Sequence, residues 1–105
     1  MVVDGGGSRR CALLGDQIAI LAVKNNWSGV IINGCIRDSE QISGMDLGVL
    51  AIGTIPIKSL KKRLGVEGVA VAFGGVEFTE GDYVFCDSDG VIVSRNDLME
   101  PTAKL

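Results

Sequence analysis

An aspartate and an arginine-aspartate pair stand out in a chain that has no histidine. Asp16 follows Gly15 and opens the run Gln17-Ile18-Ala19-Ile20-Leu21-Ala22-Val23-Lys24; Arg37 and Asp38 lie just past the apolar stretch Gly29-Val30-Ile31-Ile32-Asn33. The first N–H groups of a helix lack intrahelical partners and sit at the positive end of its dipole, so Gly15-Asp16-Gln17-Ile18 can dock a carboxylate on the backbone. Arg37 can hold a second carboxylate or an enolate oxygen in a bidentate fork, and Asp38 can bind a hard cation that polarises a neighbouring carbonyl. Together they suit the binding and activation of a 2-oxo acid. The same residue types also read more plainly, with Asp16 as an N-cap and Arg37 and Asp38 as ordinary loop charges.

The missing histidine removes Ser-His-Asp and Cys-His nucleophilic sites, HExxH zinc sites and a general base of near-neutral pKa. Cys11, Cys35 and Cys86 are odd in number and lack CxxC spacing, so they form neither a closed disulfide framework nor a zinc knuckle. Two of them read as reduced core positions, which fits a cytoplasmic protein. Oxygen-only ligands favour Mg²⁺ or Mn²⁺ over zinc. Lys24 ends a helix and the other lysines gather in one loop or at the C-terminus, an arrangement that does not suit a Schiff-base aldolase.

The elements around these residues predict a strand, a helix and a second strand. Met1 to Asp4 reads as the tail of a buried strand and Gly5-Gly6-Gly7-Ser8 as the loop after it. A strand that starts at the first residue is expected of a fragment of a longer domain. Asp16 is expected to cap a largely buried helix with Ile18, Leu21 and Ala22 on one face, stopping at Asn25-Asn26. Residues 29–33 read as a central strand buried on both faces and ended by Gly34. Asp38 to Ile42 predicts a polar turn or short helix, residues 48–53 another strand, and Lys58 to Arg63 a surface loop after Pro56. Four further strands, 69–73, 76–78, 83–86 and 91–93, are separated by the turn sequences Gly74-Gly75, Glu80-Gly81-Asp82 and Ser88-Asp89-Gly90. The order is α/β first and antiparallel β second, a mixed β/β/α domain rather than a doubly wound sheet.

Other motifs carry less chemistry. Gly5-Gly6-Gly7-Ser8-Arg9-Arg10 can present N–H groups to an anion, but it fails both GxGxxG and the P-loop ending, and a tight turn allowing close backbone approach is the favoured reading. Asp87-Ser88-Asp89-Gly90 has its glycine too early for a calcium loop and reads as a hairpin turn. Lys58, Lys61, Lys62 and Arg63 form a basic cluster without interleaved aromatics, best read as a solvated loop. The 105 residues fit one domain, and 47% hydrophobic with 22% charged residues is an ordinary globular composition. A net charge of -3 supplies no field for a nucleic-acid backbone or an anionic membrane. No apolar run reaches the roughly 18 residues of a membrane span, and no signal-peptide pattern opens the chain.

Four blocks carry a family resemblance: Val3-Asp4-Gly5-Gly6-Gly7-Ser8, Gly29 to Asp38, Phe73-Gly74-Gly75-Val76 and Asp87-Ser88-Asp89-Gly90-Val91. In that order they resemble the RraA-like family, which contains regulators of ribonuclease E activity and class II 4-hydroxy-4-methyl-2-oxoglutarate aldolases. The resemblance implies a swivelling-type mixed domain over residues 1–105, corresponding to the C-terminal two-thirds of the usual family domain and lacking its N-terminal segment. It implies a ring-shaped homotrimer in the cytoplasm, with sites near subunit interfaces. Members with aldolase activity resemble one another in an Asp separated by twenty residues from an Arg-Asp pair, and Asp16 and Arg37-Asp38 have that spacing. The resemblance implies that Arg37 binds the pyruvyl moiety, that Asp38 anchors Mg²⁺ or Mn²⁺, and that Gly15, Asp16, Gln17 and Ile18 contact substrate, with Asp16 reaching the metal through water. Regulators of the ribonuclease typically depart from the pattern at the first Asp, so Asp16 favours an enzyme acting on a small 2-oxo acid over a partner of a ribonuclease or helicase. The family's methyltransferase label finds no acidic ribose-binding residue after a Gly-rich strand-to-helix turn.

Overall fold

The computed structural model describes residues 1–60 and 64–99. It forms two compact units, Met1–Leu64 and Gly65–Leu105. Lys61, Lys62 and Arg63 of the expected basic loop lie outside the described residues.

The first unit is built on a parallel sheet. Strand β1 (Val2–Leu14) leads into helix α1 (Asp16–Lys24) and then β2 (Gly29–Ile36), which pairs with β1 in parallel. That is the expected βαβ opening. A short helix α2 (Ser39–Ser43) follows, then β3 (Gly48–Leu50) and β4 (Gly53–Thr54). β3 pairs with the first half of β2 and β4 with its end, both in parallel. The strand expected over 48–53 is thus two short strands, joined through Ala51 and Ile52, of which the Ile52 N–H still donates to the Gly34 carbonyl of β2 at 3.0 Å.

β1 departs from the expected strand and loop. Pairing does not end at Asp4: it resumes at Ser8 opposite Gly34 and runs on through Ala12 opposite Cys35 to Leu14 opposite Ile36. Gly6 and Gly7 have φ of 68° and 71°. Those left-handed residues let four residues of β1 advance against one of β2, a bulge rather than a strand end. Gly5 is required for another reason. A Cβ there would lie 2.3 Å from Leu13 Cδ1 and 2.9 Å from the Asn33 carbonyl oxygen, so the returning Leu13 packs where a side chain would stand. The Asp4 carboxylate closes the bulge, with Oδ1 accepting from the Gly6 N–H at 2.9 Å and the Asn33 amide at 3.0 Å. The glycine-rich stretch thus meets its own carboxylate, and the tight-turn reading holds. Arg9 is engaged too, donating from Nη1 to the Ile52 carbonyl at 3.1 Å.

α1 packs through its small residues. Ala19 and Ala22 are buried, whereas Ile18 is 42% and Leu21 56% exposed, which corrects the expected Ile18-Leu21-Ala22 buried face. Small residues bring the helix close to the sheet, and its larger side chains fall beside the contact. There Ile18 and Leu21 line an apolar groove of about 200 Å³ with Met1, Val3, Leu13 and Trp27. The helix stops where expected. Asn26 has φ 63°, the Asn26 N–H donates to the Val23 carbonyl at 3.1 Å, and the Trp27 N–H donates to Ala22 at 3.0 Å, a Schellman ending.

β2 supplies the centre of the core, with Val30, Ile32 and Ile36 packing against Leu14, Ala19, Ala22 and Ile42. Its Ile31 and Asn33 are only half-buried, so the strand is not buried on both faces until Gly34, Cys35 and Ile36, and Gly34 lies within it rather than ending it. Cys35 is buried, Cys11 half-buried and Cys86 exposed, all as free thiols, so one cysteine occupies the core and not two.

The second unit is antiparallel, as expected. β5 (Val71–Phe73) pairs with β6 (Val76–Phe78) across Gly74 and Gly75 at φ 63° and 80°, a two-residue hairpin turn, and the Phe73 and Phe78 rings stack 5.0 Å apart. The strand expected from Val69 begins at Val71. β7 (Tyr83–Cys86) pairs with β8 (Val91–Ser94) around a turn in which Asp87 Oδ1 accepts from the Asp89 and Gly90 N–H groups at 2.8 and 3.1 Å. That carboxylate is occupied by its own turn, as the hairpin reading requires.

Two outcomes follow for β1. Gly5→Ala should lower stability by about 1–3 kcal/mol in urea unfolding, since Leu13 and a backbone carbonyl must both move; an unchanged midpoint would show that the close approach does not matter. The two hydrogen bonds hold the Asp4 carboxyl below its ordinary range. Its contribution is therefore present above the unfolded value of about 3.9 and is lost as pH falls through the lower folded value. Asp4→Asn should remove that part of the acid-side loss of stability, and NMR titration of the Asp4 carboxyl carbon should give a midpoint below that of an unstructured aspartate.

Candidate active site

The site forms where the parallel strands end together. Leu14, the last residue of β1, pairs with Ile36, the last of β2, so the residues that follow them emerge side by side. The Arg37 N–H donates to the Leu14 carbonyl at 2.9 Å, extending the ladder by one bond. Gly15 and Asp16 leave β1 as the start of α1, and Arg37 and Asp38 leave β2 as the start of α2. This carboxyl edge is where open α/β sheets place ligands.

Gly15, not Asp16, is the N-cap of α1, with extended φ of -124° and ψ of -171°, and Asp16 is the first helical residue. The expected Asp16 cap is displaced because the capping carboxylate comes from elsewhere: Asp38 Oδ2 accepts the Asp16 N–H at 3.0 Å. Gly15 is needed at this junction. A Cβ there would stand 2.9 Å from Arg37 Nε and 3.0 Å from Asp38 Oδ2. Of the residues predicted to act together, Gly15, Arg37 and Asp38 thus meet, and Asp16 joins them through its backbone N–H.

Arg37 Nε lies 4.0 Å from Asp38 Oδ2, too far for a hydrogen bond, and the two side chains are 36% and 28% exposed. No hydrogen bond of the Arg37 guanidinium occurs among the described residues. At α1 the Ala19 N–H donates to the Gly15 carbonyl at 3.1 Å. With the Asp16 N–H given to Asp38, the unpaired first-turn donors among the described residues are those of Gln17 and Ile18. Thr54 ends β4 opposite Ile36, and the Ile55 N–H donates to the Ile36 carbonyl at 2.9 Å. Thr54 therefore stands at the same edge, a position that no spacing in the sequence marks.

No group of three or more metal-ligating side chains occurs among the described residues. One carboxylate with an oxygen to spare, that of Asp38, suits a hard cation held mostly by water and substrate oxygens, as Mg²⁺ commonly is. It does not suit a closed all-protein cage. The donor set therefore fits Mg²⁺ or Mn²⁺, with Asp38 as the residue that would hold it.

A βαβ sheet with a short second helix and a strand-end site of glycine, arginine and aspartates, followed by antiparallel hairpins, defines a small α/β protein that combines parallel and antiparallel pairing. The chain belongs to the Aldolase/RraA family, whose pattern it matches over residues 1–93. It is 59% identical over 99 residues to a protein of Aromatoleum aromaticum named "Putative 4-hydroxy-4-methyl-2-oxoglutarate aldolase", covering 94% of this chain and 62% of that one. A protein of Arabidopsis thaliana with the same name, numbered 3, is 46% identical over 98 residues, covering 93% of this chain and 59% of the other. Among solved structures, one described as an S-adenosylmethionine:2-dimethylmenaquinone methyltransferase from Geobacillus kaustophilus superposes with a TM-score of 0.90 at 55% identity, over 92% of this chain and 60% of that one. The RNA-processing inhibitor RraA from Thermus thermophilis superposes at 0.87 with 38% identity, over 90% and 57%. The chain spans about three-fifths of the length of these curated relatives. No helix among the described residues is long and apolar enough to cross a membrane.

Gly15→Ala isolates the contact on which the site depends. Its backbone angles suit alanine and the obstructing atoms are side-chain atoms, so the cost should be that of a weakened helix cap, about 0.5–2 kcal/mol of unfolding free energy. Arg37 and Asp38 must nevertheless move. The Arg37 Nε–H and Asp38 amide resonances should shift; unshifted signals would remove Gly15 from the site.

Proposed function

We propose that this chain carries the site of a divalent-metal-dependent aldolase that cleaves 4-hydroxy-4-methyl-2-oxoglutarate into two pyruvates, with oxaloacetate decarboxylation as a second activity. The observation that carries this reading is the meeting of Gly15-Asp16 with Arg37-Asp38 at the ends of β1 and β2, through the 3.0 Å bond from the Asp16 N–H to Asp38. The relatives' aldolase name points the same way.

The chemistry needs three things at one place: a grip on the 2-oxo acid, stabilisation of an enolate, and a group that moves a proton. The unpaired N–H groups of Gln17 and Ile18 would take one substrate carboxylate at the positive end of α1. Arg37 would hold the pyruvyl moiety from the other side and stabilise negative charge as it develops on the C2 oxygen. Asp38 would hold Mg²⁺ or Mn²⁺, which when bound supplies Lewis-acid polarisation of the 2-oxo group. In the cleavage the C4 hydroxyl loses its proton, the C3–C4 bond breaks, and its electron pair passes into the C2–C3 enolate while C4 becomes the carbonyl of the second pyruvate. Protonation at C3 then completes the first. Asp16 would assist a water in accepting the hydroxyl proton. Oxaloacetate loses CO₂ to the same enolate, so one site serves both reactions, and neither calls for a histidine.

The Thermus thermophilis neighbour supports a second reading, a non-enzymatic regulator of an RNA-degrading endonuclease that binds a ribonuclease or helicase. Asp16 and the open Arg37 fork favour the enzyme. A methyltransferase finds less support, because the glycine-rich bulge at Gly5 to Gly7 is closed by Asp4 and leads on into β1 rather than into a helix.

The test is pyruvate release from 4-hydroxy-4-methyl-2-oxoglutarate or oxaloacetate with Mg²⁺ or Mn²⁺. EDTA should abolish it, and Arg37→Ala and Asp38→Ala should each lower kcat/KM by about 10²-fold or more, the usual scale for one electrostatic contact made in the transition state. Turnover that survives both substitutions overturns the site. Capture of a ribonuclease or helicase with no metal-dependent turnover would favour the regulator.

A further inference from the structure

Asp38 serves a helix other than its own. It stands at the N-cap of α2 but makes no side-chain cap bond there, and its backbone is left-handed, with φ 56° and ψ 40°. Asp and Asn tolerate that conformation better than other side chains but still adopt it at a cost. What the conformation accomplishes is the bond from the Asp16 N–H to Oδ2 at 3.0 Å across 22 residues of sequence. α1 has no other side-chain cap. Oδ1 accepts no hydrogen bond among the described residues.

We infer that Asp38 is a positioning residue as well as a candidate metal ligand: Oδ2 is committed to the α1 N-terminus, holding the left-handed turn that presents Arg37, and Oδ1 alone is left to meet a cation. The cation half rests on the metal-dependent reading of the site; the positioning half does not. Three features of the contact support the assignment. The Asp16 N–H is an orphan donor of a nine-residue helix, so its acceptor stabilises both the helix start and the loop. Gly15 carries no Cβ where one would stand 3.0 Å from this same oxygen, so the carboxylate has the room it needs to reach the Asp16 N–H. Arg37 Nε, at 4.0 Å, does not compete for Oδ2 by hydrogen bonding.

The experiment separates acceptor, turn and charge in the full metal-free chain. Asp38→Gly keeps a left-handed turn and loses the acceptor, whereas Asp38→Asn keeps turn and acceptor and loses the charge. Amide hydrogen exchange at Asp16 should be about tenfold faster or more in Asp38→Gly, and within about threefold of the natural chain in Asp38→Asn, the scale of one hydrogen bond lost or kept. Asp16 protection that persists in Asp38→Gly overturns the proposal. So does a loss in Asp38→Asn as large as that in Asp38→Gly, and this arm decides the matter alone if the glycine variant does not fold. Titration with Mn²⁺, read as paramagnetic broadening of the Asp38 and Asp16 amides, tests the other oxygen. Broadening in the natural chain that is lost in Asp38→Asn supports the division of the carboxylate. No broadening in the natural chain, with Asp16 protection retained in Asp38→Asn, upholds the positioning role and overturns the metal-dependent reading.

Discussion

At Gly15 the chain passes so close to the Arg37 and Asp38 side chains that a Cβ could enter only by moving them. Two strands of the sheet finish level, Leu14 beside Ile36, and the Arg37 N–H closes one more rung onto the Leu14 carbonyl. Whatever follows the two strands must share one small volume. On the β2 side it is occupied by an arginine stem and a carboxylate, both near 3 Å from where a Gly15 Cβ would stand. A side chain at residue 15 would push them out, and the Asp16 N–H would lose the acceptor that starts α1. Helix, loop and candidate site therefore depend on the same close approach.

That approach requires β1 to arrive at Leu14 in register, and β1 reaches it by an indirect route. It leaves β2 after Asp4, bulges through Gly6 and Gly7, and rejoins at Ser8 and Ala12 before reaching Leu14. Asp4 ties the bulge to Asn33, and Leu13 fills the space over Gly5 and Gly34. On its far side Ala12 is bridged to Lys58, with hydrogen bonds to Ile57 and from Ser59 at 2.7 and 3.1 Å. The glycine-rich block serves the site at a distance: it takes up part of the extra length of β1, and further register shifts after Ser8 and Ala12 take up the rest, so that Leu14 stands opposite Ile36.

Local signals were legible and distant ones were not. The Asn25-Asn26 stop, the Gly74-Gly75 hairpin and the Asp87 turn each follow from a few neighbouring residues, and the structure has all three. The pairing of Gly15-Asp16 with Arg37-Asp38 was visible as spacing, but not as the Asp16 to Asp38 hydrogen bond, which depends on strand register. Gly5 to Gly7 misled because glycine marks a bulge and a loop alike. Ile18 and Leu21 misled because a helical period reports that side chains share a face, not whether a core or a groove lies before it. Thr54 left no trace in the sequence, since only the pairing of β4 with the end of β2 brings it to this edge.

The adjacency of Arg37 and Asp38 also has a geometric explanation. Successive residues of a strand point to opposite faces, so a β2 prolonged through both would present only one of them to the start of α1. The strand instead ends at Ile36, and the left-handed turn at Asp38 brings both side chains against Gly15. A cationic fork and a carboxylate then sit 4.0 Å apart as an ion pair, too far for a hydrogen bond that would take up the donor of Nε. A 2-oxo acid asks for that combination, since its carboxylate and developing enolate need positive charge while a hard cation needs a carboxylate oxygen beside them. The strain of one backbone residue is thus coupled to the juxtaposition of two opposite charges that an extended strand would have kept apart.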